Sequence, residues 1–319
     1  MNTPRFIFAL VVSLFLTAPI NAQSIREQDI RAELGFLASD AMQGRGSGTV
    51  FERIAAEYIG SQFRQFGLEP GGDTDTSGNK DFVQRVPLET APSGATWNVI
   101  GVLRGSDARE AIMLSAHLDH LGVNEAASGD DKIFNGADDD ASGSVAVLEL
   151  ARALAAGKRP RRTIYFVCFG SEERGGAGSR HFIENPPVPL TQIIADLQFE
   201  MLGRPDSKVA AGKLWLTGFD RSDLGPALAR NGAALVADPR PEQHFFQRSD
   251  NYPLALRGVI AHTVSSFGLH TDYHHPSDDV SKIDFPFMTR SLNSLVRPIQ
   301  WLANSDFRPE WLPGQAPTR

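Results

Sequence analysis

The chain has 319 residues, of which 41% are hydrophobic and 22% are charged, and its formal net charge is -7. This composition is that of an ordinary globular protein and excludes a collagen-like or mostly disordered chain. A net negative charge repels the phosphate backbone of nucleic acids, so no nucleic-acid partner is expected. The one basic run, at residues 158–162, is short and is interpreted as a solvated loop.

The first 22 residues have the features of a signal peptide. Arg5 precedes an apolar run over residues 6–16, and a candidate cleavage site follows Ala22. The run is much shorter than the ~20 apolar residues that a membrane-spanning helix needs. We therefore expect an exported protein, periplasmic or extracellular, with no membrane span in its mature form. An uncleaved N-terminal anchor is the alternative.

The hydrophobic pattern predicts helices and strands that alternate along most of the chain. Gly67 is well placed to end the second helix, and residues 70–80 form a polar loop. The predicted helices are 28–39, 51–66, 142–156, 177–184, 224–231 and 287–303, and the predicted strands are 82–88, 97–103, 111–116, 163–169, 192–199, 213–217 and 259–264. This alternation predicts an α/β fold, a three-layer α/β/α sandwich around one mixed, mostly parallel sheet.

The domain organisation predicted from this pattern is simple. No internal repeat or low-complexity segment is found, so residues 23–319 are predicted to form a single catalytic domain on which the helices of residues 28–66 pack. Cys168 is the only cysteine, so no disulfide can form within the chain. It lies in an apolar strand and is interpreted as a buried structural thiol rather than a nucleophile.

Two polar segments stand next to buried elements in the middle of the chain. His117 and Asp119 are two positions apart at the end of a strand, so the carboxylate can orient the imidazole while the other ring nitrogen binds a metal. The successive carboxylates Asp138, Asp139 and Asp140 precede a helix. Capping accounts for one or two of them and leaves a third that needs a cation.

Three further segments follow predicted strands. Glu172 and Glu173 are adjacent and point in different directions, so one can bind a metal while the other exchanges protons with a water molecule. Glu200 ends a later strand, and residues 270–279 form a loop rich in His and Asp. Each segment, taken alone, is also compatible with exposed polar residues that bind no metal. Ligands of open α/β sheets collect at strand carboxyl ends, and imidazole with carboxylate suits zinc in a hydrolytic site.

In combination, His117-Leu118-Asp119, the run from Gly136 to Gly143 and the Glu172-Glu173 pair resemble the co-catalytic zinc aminopeptidases. Secreted bacterial leucyl aminopeptidases are the type members, with glutaminyl cyclases and the glutamate carboxypeptidase II ectodomain as relatives. The resemblance covers roughly residues 95–300. It implies a peptidase with two Zn²⁺ ions per chain that removes N-terminal residues from peptides with a free N-terminus.

The resemblance also implies roles for individual residues. Asp119 would orient the ring of His117, and Glu172 would act as general base and then as general acid. Five residues would bind metal: His117 and Glu200 on the first zinc, Glu173 and His274 on the second, and Asp139 on both. Residues 88–97 join two strands directly and leave no room for the inserted protease-associated domain of some relatives.

Some of these positions depart from the family or have rivals. Glu200 stands where type members often have Asp, which carries the same oxygen donor on a shorter side chain. His275 is the rival of His274, with His270 a weaker one, and the pattern His-x-Pro-x-Asp favours His274. Asn251 stands in place of a usual His. The remaining histidines are interpreted as ordinary surface or packing residues: His120, His181, His244 and His262.

Three other functions stay open. A glutaminyl cyclase would use the same fold, usually with one zinc, to cyclise N-terminal glutamine. A catalytically dead binding domain, as in transferrin receptors, would have lost ligands, whereas every expected position here holds a donor. A carboxypeptidase would need arginines that hold a terminal carboxylate, and the sequence does not place them. Side-chain specificity and oligomeric state are not readable from the sequence.

Overall fold

The computed structural model describes residues 24–318. The predicted signal peptide, residues 1–22, lies outside this part of the chain. Among the helices formed by residues 24–318, none combines the length and the apolar character needed to cross a bilayer.

The described residues form strands and helices in alternation. The strands are β1 (Glu69–Pro70), β2 (Val83–Pro87), β3 (Ala95–Leu103), β4 (Asp107–His117), β5 (Gly122–Val123), β6 (Ile133–Phe134), β7 (Arg162–Phe169), β8 (Ile193–Phe199), β9 (Leu214–Leu216), β10 (Leu235–Ala237) and β11 (Ile260–Ser265). The helices are α1 (Glu27–Leu37), α2 (Val50–Gln65), α3 (Gly143–Ala155), α4 (Ala177–Glu184), α5 (Leu224–Arg230), α6 (Asn251–Ala255) and α7 (Phe285–Asn304).

A mixed sheet forms the centre of the fold. Its strand order is β1-β3-β7-β4-β8-β11-β9-β10, with β2 also paired to β3, while β5 and β6 form a separate hairpin. The neighbours β7, β4, β8 and β11 are all parallel, and the antiparallel pairings lie towards the two edges. The carboxyl ends of the four central strands therefore meet at one edge of the sheet.

Both faces of the sheet are covered by helices. Along β4, Ile112 and Leu114 pack in one hydrophobic core with side chains of α1, α2, α3, α5 and α7. Met113, between them, faces a second core that includes side chains of α4 and α6. Because side chains alternate between the faces of a strand, this arrangement makes three layers. The predicted three-layer α/β/α sandwich with a mixed sheet is confirmed.

Most predicted elements agree with the structure to within a few residues. Helix α2 ends just before Gly67, whose φ of +78° is a left-handed conformation that suits glycine. Cys168 is buried, and its burial raises the pKa of the thiol, as expected of a structural residue. Five short elements were not predicted, β1, β5, β6, β10 and α6, because elements of two to five residues are too short to show periodicity.

Candidate metal centre

The central parallel strands bring the predicted site residues together. His117 is the last residue of β4, Glu172 and Glu173 follow β7, and Glu200 follows β8. Since β7, β4 and β8 are neighbours in the sheet, these side chains meet at its carboxyl edge. Asp139 reaches the same place from the segment that precedes α3.

Asp139 lies at the middle of the group. Its Oδ1 atom is 3.3 Å from Nε2 of His117, and its Oδ2 atom is 3.1 Å from Nε2 of His274. The same His274 nitrogen is 3.2 Å from Oε2 of Glu173. The two oxygens of Asp139 therefore face two different imidazoles, which is the arrangement required of a carboxylate that bridges two metal ions.

The outer residues of the aspartate triplet are engaged by hydrogen bonds. Oδ1 of Asp140 accepts from the backbone N–H groups of Gly143 at 3.0 Å and Met201 at 3.1 Å. Oδ1 of Asp138 accepts from the backbone N–H of Gly203 at 2.7 Å. Among the three carboxylates, Asp139 is the one with a buried oxygen, Oδ2, that has no hydrogen-bond partner within residues 24–318.

The structure separates the rival histidines of the loop before α7. The ring of His274 stacks on Tyr273, with 3.8 Å between ring centroids, and faces Asp139. His275 is exposed and lines a different surface cavity. His270 is 3.0 Å from Oδ2 of Asp138. Of these three histidines, only His274 contacts Asp139.

His120 joins the group, although the sequence analysis interpreted it as an ordinary surface or packing residue. Its side chain is buried, and its Nδ1 atom is 2.9 Å from Oε1 of Glu173. His120, Asp139 and Glu173 each offer a donor atom, and these atoms all lie within 4.8 Å of one another. The turn after β4 aims His120 inward, and no periodicity in the sequence signals the direction of a turn.

The donor atoms of the group suit a metal ion. Buried polar atoms in proteins nearly always have a hydrogen-bond partner. Within residues 24–318, seven buried atoms of this group have none: Nε2 of His117, Nδ1 and Nε2 of His120, Oδ2 of Asp139, Oε1 of Glu173, Oε2 of Glu200 and Nε2 of His274. Nitrogen and oxygen donors without thiolate are a set that zinc accepts.

Asp119 is fully buried behind His117. The Nδ1 atom of His117 is 3.2 Å from the backbone oxygen of Asp119 and 3.8 Å from its carboxylate. The carboxylate accepts hydrogen bonds from the backbone N–H of Glu172 at 2.9 Å and from the hydroxyl of Ser47. The backbone oxygen of Asp119 is thus nearer to the ring of His117 than the carboxylate predicted to orient it, and the carboxylate holds the loop that carries Glu172.

Two carboxyl groups of the site have raised pKa values. Burial raises the pKa of Glu172 well above its usual range, and the negative charge of Glu200 adds to the effect. Burial also raises the pKa of Glu200 to about 7, with a contribution from the charge of Asp139. A raised pKa makes a carboxylate a stronger proton acceptor than a free one, which suits a general base that later acts as an acid.

Residues 98–296, more than half of the chain, match the profile of peptidase family M28. The chain belongs to peptidase family M28. The resemblance drawn from the motifs of His117, Asp139 and Glu172 is thereby confirmed.

A bacterial relative is consistent with this family membership. Leupeptin-inactivating enzyme 1 of Streptomyces exfoliatus is 37% identical over 179 residues, which are 55% of this chain and 35% of that protein. The aligned part thus spans about a third of that relative's own length.

Two solved structures share the fold. The aminopeptidase from Aneurinibacillus sp. strain AM-1 superposes with a TM-score of 0.66 at 17% identity, over 94% of this chain and 99% of that one. Porphyromonas gingivalis glutaminyl cyclase gives a TM-score of 0.65 at 19% identity, over 87% and 99%. At such identities the likeness shows the fold, which both proteins have in common with this M28 peptidase.

A buried arginine of the M28 chain contacts the segments that carry the site residues. Arg45 lies between α1 and α2 and is 1% exposed. Its guanidinium donates hydrogen bonds of 2.7 to 3.0 Å to the backbone oxygens of Leu37, Leu118, Asn135 and Gly136. Leu118 adjoins His117, and Gly136 begins the turn that leads to Asp139. Arg45 therefore ties together two segments that carry site residues, and no motif in the sequence indicated it.

A cleft opens beside the group. Its polar wall includes Asp139, Glu172, Glu173 and Glu200. Its lining also includes five apolar or aromatic side chains: Met201, Trp215, Phe245, Phe267 and Tyr273. The cleft thus joins the metal-binding group to a pocket suited to an apolar side chain.

Proposed function

We propose that this M28 chain is an aminopeptidase that hydrolyses the N-terminal peptide bond of peptides with the help of two zinc ions. The observation that carries the proposal is the position of Asp139, whose two carboxylate oxygens face His117 and His274 separately. The relatives named aminopeptidase support the same reading. The matched segment covers only part of the length of these relatives. Their activity is therefore extended to this chain as a proposal.

The ligand assignment follows the two sides of Asp139. His117 and Glu200 would hold one zinc ion, and Glu173 and His274 would hold the other, with Asp139 shared between them. When bound, the two ions would polarise the scissile carbonyl and increase the acidity of the attacking water. Pairs of zinc ions that share a carboxylate are used by aminopeptidases for this purpose.

Glu172 would carry the proton. Its backbone is held by the hydrogen bond to Asp119, and its side chain lines the cleft beside Asp139. In its ionised form the carboxylate would take a proton from the attacking water. It would then pass the proton to the leaving amine, and the burial that raises its pKa favours holding the proton between the two transfers.

The cleft supports a preference for peptides with an apolar N-terminal residue. The carboxylates of Glu172, Glu173 and Glu200 at one end would attract the positive α-amine of the substrate. The aromatic residues of the cleft, which include Trp215 and Phe267, would receive the side chain of the substrate's N-terminal residue.

A glutaminyl cyclase is the second candidate. The likeness to the Porphyromonas gingivalis glutaminyl cyclase, at a TM-score of 0.65, is as close as that to the aminopeptidase. The fold therefore does not separate the two activities. The presence of donors on both sides of Asp139 favours the two-zinc aminopeptidase.

One experiment tests the proposal. Zinc per chain is measured in the purified protein, and hydrolysis of a panel of aminoacyl-nitroanilides is compared with cyclisation of peptides that begin with Gln, with and without a chelator. We expect two zinc ions and chelator-sensitive hydrolysis of apolar aminoacyl substrates. Cyclisation with one zinc ion would establish the second candidate instead. The absence of both activities would refute the proposed function.

We also propose that the mature protein is exported and that residues 23–319 form one domain. The apolar run after Arg5 supports export, and the contribution of α1 and α2 to the main hydrophobic core supports a single domain. N-terminal sequencing of the protein recovered from periplasmic and culture fractions tests both the destination and the cleavage after Ala22. Recovery of the uncleaved chain from the cytoplasm would contradict the proposal of export.

A further inference from the structure

His120 has no role in the five-ligand assignment, yet it lies inside the metal-binding group. Its Nδ1 atom is 2.9 Å from Oε1 of Glu173 and 3.8 Å from Oδ2 of Asp139. Its side chain is fully shielded from solvent. A buried imidazole in contact with two proposed zinc ligands needs a physical explanation.

A hydrogen bond does not explain the contact. Although Nδ1 of His120 and Oε1 of Glu173 are 2.9 Å apart, neither atom has a hydrogen-bond partner among residues 24–318, because their alignment is unsuitable. Two donor atoms that are close in space but do not point at each other are the arrangement expected when both point at a common cation.

The ring of His120 is also held in place. A Cβ atom at Gly136 would be 2.5 Å from Cγ of His120, so the glycine allows the backbone to pack directly against the ring. The ring of His274 meets it edge to face, with centroids 5.7 Å apart. The backbone N–H of His120 donates to the oxygen of Arg45 at 3.2 Å. These contacts aim Nδ1 at the side of the group that holds Glu173.

We propose that His120 binds the second zinc ion directly through Nδ1, together with Asp139, Glu173 and His274. The inference rests on the proposed two-zinc function. It gives the second ion four protein donors, two imidazoles and two carboxylates, whereas the first ion has only three.

The two ions would then have different numbers of protein donors, and this difference assigns them different tasks. Zinc sites with four protein ligands are closed and usually structural, whereas catalytic sites keep a position for water or substrate. The ion held by His120 and His274 is therefore the more tightly bound one. The ion held by His117, Asp139 and Glu200 is the one open to substrate.

Two substitutions distinguish a ligand from an orienting residue. His120→Ala removes the donor. His120→Asn places an amide N–H near the position of Nδ1, so it can keep a hydrogen bond to Glu173, but it is a poor zinc ligand. Loss of an orienting partner costs a zinc site about 10–100-fold in affinity, so loss of a direct ligand should cost about 100-fold or more.

The readout is zinc per chain after dialysis against increasing concentrations of a chelator. We expect the native protein to lose its zinc ions in two steps, and both variants to lose the tightly held ion at chelator concentrations about 100-fold lower. His262→Asn serves as the matched control, because His262 is equally buried but bonded to Ser222, outside the group. It should retain the native pattern.

Each result decides the inference. Retention of the tight ion by His120→Asn, or a shift smaller than about 100-fold in either variant, overturns it. X-ray absorption on the native zinc-loaded protein provides a test that needs no variant: three imidazoles shared between two ions support the inference, and two overturn it. If the native protein binds no zinc, the proposed function fails. If it binds two zinc ions and the variants lose neither more readily, only the inference about His120 fails.

Discussion

The backbone N–H of Glu172 donates a hydrogen bond of 2.9 Å to Oδ1 of Asp119. The other oxygen of this carboxylate accepts the hydroxyl of Ser47, from the segment that precedes α2. Asp119 thus joins the loop after β7 to the loop after β4 and to the N-terminal part of the chain. The position of the proposed proton carrier depends on this buried carboxylate.

We expect Asp119→Asn to lower kcat/KM about 10–100-fold, as is typical of residues that position a ligand or a base. The amide keeps the volume of the side chain but has one acceptor oxygen for two donors. Aminopeptidase assays and zinc content, measured on the same preparations, check the effect. Ser47→Ala, which removes only one of the two hydrogen bonds, should have a smaller effect. Equal activity of Asp119→Asn and the native chain would contradict the positioning role.

Glu172→Gln is expected to bind zinc normally and to lose about 10²–10⁴-fold in kcat, since the amide cannot accept the proton of the attacking water. Zinc per chain and steady-state kinetics provide the two measurements. A variant that binds zinc and retains full activity would rule out Glu172 as the general base.

Arg45→Met should destabilise the protein by at least about 3 kcal/mol, because it leaves several buried carbonyl oxygens without a donor and each costs about 1–3 kcal/mol. Arg45→Lys, which keeps the charge but can satisfy fewer of the oxygens, should fall between Arg45→Met and the native chain. The free energy of unfolding in urea measures both. Arg31→Lys, at an exposed arginine paired with Glu27, is the control and should have little effect. A stable Arg45→Met protein would show that the carbonyls find other partners.

Phe267→Ala should change specificity. The ring of Phe267 packs against Phe245 and Tyr273, with centroids 5.9 and 5.1 Å away, and lines the cleft. Its removal should lower kcat/KM for leucyl and phenylalanyl substrates by about 10–200-fold relative to an alanyl substrate, which makes fewer contacts with the ring. An unchanged ratio between the substrates would mean that the side chain binds elsewhere.

Glu33 on α1 gives a pH dependence of stability away from the metal centre. Burial raises its pKa well above the usual range, and the charge of Glu149 adds to this. Because the folded state binds the proton more tightly than the unfolded state, the favourable contribution is complete below the unfolded pKa of ~4.3 and is lost as the pH rises through the folded pKa. Glu33→Gln, which cannot ionise, should therefore be more stable than the native chain at alkaline pH.

Urea unfolding of both proteins in the presence of chelator, from acidic to alkaline pH, measures this difference. The gain from Glu33→Gln should vanish near the unfolded pKa and grow with rising pH. A difference that does not change with pH would show that Glu33 ionises freely in the folded state.

Much of the fold and the site could be predicted from the sequence. Apolar runs such as residues 111–116 and 163–169 mark buried central strands, because few other structures bury so many consecutive apolar side chains. Polar residues directly after such strands, as at His117 and Glu172, mark the carboxyl edge of the sheet, where ligands bind. The family resemblance then assigned separate roles to neighbours such as Glu172 and Glu173.

The contacts between distant segments came only with the tertiary structure. His120 and Arg45 are polar residues in irregular segments, and nothing local distinguishes a buried turn from an exposed one. Their positions depend on how the chain before α2 crosses the ends of β4 and on which loops the order β7-β4-β8 brings together. Local sequence specifies the period of an element, whereas the direction of a turn is settled by the packing of segments far apart in the chain.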